Sequence, residues 1–233
     1  MRAPCAADIL GPMLLLALLQ ACDSAIEGPA ALAFDGAPDC ATIDLDDAPP
    51  ASFTVEVWLR GDPDAFVAMR PYVAWRHVFN LMENGDEQVV FLIGDDEAGA
   101  SSPFSLMDGQ LHHVAGTYDG TDGTAKLFVD GALVGQSSGA AFVGDPDTRI
   151  QFGCGKEATE GFYGVLDELR ISSVVRYTDD FELPTGQHTK DADTWMLFHL
   201  DEGTGSTASS ATGDHEMVIA DAAWVSFELG GAE

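Results

Sequence analysis

The chain has 233 residues, with 39 acidic and 10 basic side chains and a formal net charge of −29. Such a surface repels phosphate backbones, and no basic patch with interleaved aromatics offsets it, which argues against nucleic-acid binding. It also repels anionic lipid, so any membrane link is expected to be covalent rather than electrostatic.

The first element is not part of a fold. Arg2 precedes an apolar run from Ile9 to Leu19, too short to cross a bilayer as a lasting helix but suited to the h-region of a secretory signal. Leu19-Gln20-Ala21-Cys22 follows at once and resembles the bacterial lipobox, where cleavage precedes a lipidated cysteine. The resemblance implies a signal peptide over residues 1–21, lipid attachment at Cys22, and a place in the bacterial cell envelope, at the outer membrane or cell surface. Residues 22–30 read as a tether, small and acidic from Asp23 and ending at Gly28-Pro29.

Strand signals separated by turn residues then recur to the C-terminus, the pattern of an all-β sandwich. Ala31–Phe34 runs into Asp35-Gly36. Phe53–Arg60 alternates, with Phe53, Val55, Val57 and Leu59 on one face and Thr54, Glu56, Trp58 and Arg60 on the other. Val73–Leu81 and Val89–Ile93 form an expected hairpin around Glu83–Asp86. Gly109–Gly135 is the clearest block: two strands joined by Asp119–Gly123, then a third after Asp130-Gly131, a pair that suits the positive φ angles of a type I′ turn. Arg149–Gly153, Gly164–Ser172, Trp195–Leu200 and Met217–Phe227 complete the series. No convincing amphipathic helix follows the signal.

Cys5 belongs to the signal and Cys22 to the lipobox, which leaves Cys40 and Cys154. An even pair in an exported chain favours one disulfide over two buried free thiols.

Five landmarks carry a family resemblance. Ala31–Gly36, Phe53–Leu59, Gln110–Ala115, Phe128–Gly131 and Phe162–Ile171 are similar, in this order, to landmarks of bacterial laminin-G-like, concanavalin A-like jelly rolls. The resemblance implies an all-β, antiparallel two-sheet jelly-roll β-sandwich over residues 31–229. Residues 195–227 resemble a segment usually found ahead of the opening strand, and are expected to fold back beside Ala31–Phe34 and close one sandwich. Similar jelly rolls hold a structural Ca²⁺ where the opening strand meets a late strand, which makes Asp35 and Asp167 the implied ligands; the competing reading is turn capping and local hydrogen bonding.

Catalytic motifs are thin. Sugar hydrolases of this fold place carboxylates at alternate positions of one strand, and no such triplet occurs; Asp167 and Glu168 are adjacent and are expected to face opposite ways. There is no Gly-x-Ser-x-Gly. His112 and His113 also point oppositely, and His77, His188, His199 and His215 show no zinc-like spacing. Tyr72, Trp75, Phe79 and Tyr163 are the aromatics that an exposed glycan platform would use, although core packing explains them more simply. The expectation is a non-enzymatic, lipid-anchored envelope module that binds a glycan or a protein, with a hydrolase or a purely structural lipoprotein as alternatives.

Overall fold

A computed structural model of the chain describes residues 26, 28–65, 69–94, 98–142, 145–155 and 160–229, so the signal and Cys22 lie outside the described residues. The strands, in chain order, are β1 (Ala30–Asp35), β2 (Cys40–Asp44), β3 (Phe53–Gly61), β4 (Arg70–Trp75), β5 (Phe79–Glu83), β6 (Val89–Ile93), β7 (Ala98–Ser101) and β8 (His112–Asp119). They continue with β9 (Thr124–Val129), β10 (Ala132–Ser137), β11 (Arg149–Phe152), β12 (Tyr163–Ser172), β13 (Thr194–Phe198), β14 (Thr207–Ser209), β15 (Glu216–Ala220) and β16 (Ala223–Ser226). No described residue is helical.

Two antiparallel sheets form the expected sandwich. The first has the order β10-β9-β8-β3-β12-β1-β16, with β13 also pairing β12; the second runs β14-β15-β2-β11-β4-β5-β6-β7. The alternation of β3 sets the packing. Phe53, Val55, Val57 and Leu59 are all buried in the core, and the Phe53 ring meets Phe79 and Phe91 of the opposite sheet at centroid distances of 5.3 and 6.3 Å. Burying each such side chain stabilises the fold by roughly 1.5–3 kcal/mol.

The Asp130-Gly131 turn forms as its sequence requires, with φ of 50° and 79°. The Val73–Leu81 reading needs correction. It is two strands, β4 and β5, reversed at Arg76–Val78, where His77 takes a φ of 66°. Trp75 and Phe79 face each other across that hairpin, and with Tyr72 they lie in the core, so these aromatics are packing residues. β2 lies in a stretch where no strand was expected. It pairs with β11 on one side and β15 on the other, while β16 runs beside β1. Cys40, opening β2, is bonded to Cys154, just beyond β11, and closes a separation of 114 residues.

Ser173–Asp193 has no regular structure, yet it lies as a strap across the outer face of the first sheet. Phe181 N donates to Gly131 O at 2.8 Å, Leu133 N to Asp180 Oδ1 at 2.8 Å, and Arg176 N to Thr54 Oγ1 at 2.9 Å. Gly131 suits this docking, because a Cβ there would stand 2.2 Å from Phe181 O. Thr54 and Glu56 point away from the core on β3, and the strap buries them completely.

Candidate functional site

Among the described residues, no strap comparable to Ser173–Asp193 lies across the outer face of the second sheet, although Ala74, Met82 and Val90, outside the core cluster, are buried there. Register places Val218, Thr42, Gln151, Ala74, Asn80 and Leu92 side by side on β15, β2, β11, β4, β5 and β6. At strand spacing this row is about 24 Å long. Val218 is exposed, while Thr42, Gln151, Asn80 and Leu92 are half-buried. The row holds no charged side chain. Gln151 Nε2 donates to Gly155 O at 2.8 Å, which fixes its amide beside the disulfide. Asn80 Oδ1, tucked below the surface, has no partner among the described residues. Arg149 and Asp44 form an exposed ion pair at 2.7 Å toward one end of the face.

A second feature opens where Gly28-Pro29 passes Phe227–Leu229. A cleft of about 620 Å³ is lined by Pro29, Asp167, Gln187, Asp201, Phe227 and Glu228. Asp167 lies on its wall, and burial pushes its carboxyl up to about 8, with the Glu168 charge adding to the effect. Glu168 is also raised, first by burial, although it accepts His188 N at 2.7 Å and pairs with His199 Nδ1 at 2.7 Å.

Adjacency misleads in this segment. β12 pairs Asp167 with Trp58 but Arg170 with Glu56, so an extra residue is accommodated between them, and Glu168 takes a φ of 53°. This bulge keeps Leu166 and Leu169 in the core and turns both carboxylates away from it. The expectation that Asp167 and Glu168 face opposite ways is therefore corrected. The spacing of Leu166, Leu169 and Ile171, which breaks strict alternation, is the sequence signal for it.

The implied calcium pair is not brought together. Asp35 stands opposite Tyr163, and Asp167 lies four residues further along β12, roughly 13 Å away at strand rise. Asp35 instead donates its backbone N to Asp39 Oδ2 at 2.8 Å.

The histidines separate in an unforeseen way. His112 sits at a strand end and pairs with Asp130 at 2.7 Å and Asp108 at 3.2 Å. His113 is fully buried, beneath the strap and not between the sheets. There it meets Glu56 at 3.2 Å through Nε2, and the strap's His188 brings its own Nε2 to 3.7 Å from the same oxygen. Arg170 Nε donates to Glu56 Oε1 at 2.8 Å, and Tyr177 OH to Oε2 at 2.9 Å. These partners hold the Glu56 carboxyl well below its usual range despite its burial, while burial lowers His188 to about 3. No spacing in the sequence announces this cluster, because the strap carries Tyr177 and His188 while three separate strands carry the rest.

A laminin G family model, described as the concanavalin A-like lectin/glucanases superfamily, matches residues 35–180. The chain belongs to this superfamily. No relative is found among curated proteins. Among solved structures, a candidate carbohydrate-binding protein from Bacteroides ovatus is similar at a TM-score of 0.71 and 17% identity, covering 88% of this chain and 61% of its own. This chain thus spans less than two thirds of that protein. A heptameric pentraxin from Limulus polyphemus is similar at 0.53 and 13%, covering 83% and 96%. A carbohydrate-binding module of a Ruminococcus gnavus sialidase, bound to α2,3-sialyllactose, is similar at 0.53 and 14%, covering 64% and 92%. At these identities the likeness establishes the concanavalin A-like fold, and that fold serves many activities.

Proposed function

We propose that this concanavalin A-like protein is a non-enzymatic carbohydrate-binding module, held in the bacterial envelope by a lipid on Cys22, with a neutral glycan taken across the outer face of the second sheet. The row from Val218 to Leu92 carries the reading, since it sets one hydroxyl and two amides, Thr42, Gln151 and Asn80, among apolar side chains with no charged member and no strap over it among the described residues. Thr, Asn and Gln supply both donors and acceptors, which is what sugar hydroxyls need. A net charge of −29 works against sialylated or uronate-bearing ligands. The anchor rests on the apolar run to Leu19 and the Leu19–Cys22 motif. The test is a glycan array bearing neutral and sialylated oligosaccharides, run with a reducing-sugar assay. Retention of neutral glycans without turnover is expected, and an array with no retained glycan would overturn the reading. Cys22→Ser is expected to move the protein out of the membrane fraction.

One observation favours a second reading, a sugar hydrolase. Asp167, with its pKa pushed up to about 8, keeps a proton at neutral pH in a cleft beside Asp201, which is the condition of a general acid. Release of reducing sugar that vanishes in Asp167→Asn would establish it, and no release would remove it.

A further inference from the structure

We propose that Glu56, His113 and His188 form a buried binding site for a divalent first-row metal ion of the zinc class, which pins the strap to the first sheet. The three side chains come from β3, β8 and the strap, and their ligand atoms all lie within 4.8 Å of one another. A tetrahedral ion with bonds near 2.1 Å separates its ligands by about 3.4 Å. The spacings from Glu56 Oε2 to His113 Nε2 and His188 Nε2, 3.2 and 3.7 Å, bracket that edge. Two imidazoles and one carboxylate suit zinc-class ions and leave a fourth position for water.

An independent observation points to a missing partner. His188 has a side chain only 1% exposed, yet neither ring nitrogen has a hydrogen bond among the described residues. Buried polar atoms are nearly always satisfied, so an orphaned imidazole aimed at a carboxylate and a second imidazole calls for an explanation. An ion there would give His188 Nε2 its partner. The surrounding groups serve as supports: Arg170 holds the other Glu56 oxygen, and the His188 backbone N is fixed by Glu168 at 2.7 Å. With the centre closed under the strap, its role is structural.

The test is to refold the untagged full chain with zinc chloride or with EDTA, then measure bound zinc after gel filtration and the unfolding midpoint. One zinc per chain and a higher midpoint with zinc are expected. His188→Gln and His113→Gln should each weaken binding at least about tenfold, whereas His112→Ala, at the half-buried histidine outside the cluster, should not. No retained zinc in the wild type, or equal retention in His188→Gln, would overturn the proposal. Should both glutamine variants fail to fold, X-ray absorption of the wild-type zinc protein decides: imidazole scattering from two histidines supports the site, and its absence overturns it.

Discussion

Arg170 donates to Glu56 at 2.8 Å across the adjacent strands β12 and β3, with both side chains buried beneath the strap. The bulge at Glu168 makes this possible, because without the extra residue Arg170 would face the core. Removing one partner of a buried pair leaves the other charge uncompensated. Glu56→Gln is therefore expected to cost roughly 3–5 kcal/mol. Urea denaturation measures it, and a loss under 1 kcal/mol would show that the cluster contributes no more than a surface pair.

The Cys40–Cys154 bond joins neighbouring strand ends across 114 residues of chain. On the chain-entropy model it restricts the unfolded ensemble, and its reduction is expected to lower stability by about 2–5 kcal/mol. Denaturation with and without a thiol-free reductant checks this. Labelling without reduction should find neither cysteine, and labelling after it should find both.

Asp167 sets a pH dependence of definite sign. In the folded chain its carboxyl keeps its proton up to about 8, whereas the unfolded chain releases it near 3.8. Below that lower value both states are protonated and Asp167 imposes no penalty. Between the two values the folded state binds more protons, so its contribution to stability falls as pH rises, then levels off above 8. Asp167→Asn is expected to remove this slope and to gain most over the wild type above pH 8. Parallel stability profiles for the two proteins would contradict it.

The open face makes a separate prediction. Asn80→Ala and Gln151→Ala should each weaken glycan binding by roughly five- to tenfold, the equivalent of about one hydrogen bond, with the unfolding midpoint unchanged in Asn80→Ala and slightly lowered in Gln151→Ala, which loses its bond to Gly155. Isothermal titration with an array-selected oligosaccharide measures this. Affinity unchanged in both variants would move the ligand to another surface.

Much of the fold was legible in the chain. Alternation in Phe53–Leu59 identified the core face, and Asp130-Gly131 identified its hairpin, because both follow from local steric rules. The cysteine pairing followed from the expectation of export and from an even count. The turn at Arg76–Val78 was not legible, because His77 adopts a positive φ that its residue type does not advertise. β2 was hidden by its brevity and by the acidic turn residues that follow it.

The candidate sites were less accessible still. By itself the sequence determined a two-sheet sandwich, its acidic surface and its inward-facing residues, since these depend on side chains close in the chain. Only the tertiary structure decided that, among the described residues, the strap roofs the first sheet and not the second, because the strap has no periodicity and is held by hydrogen bonds to distant strands. It likewise brought His188 to Glu56, 132 positions away, at 3.7 Å. Such a cluster follows from the crossing of separate segments over one sheet, and the local pattern of each segment carries no trace of it.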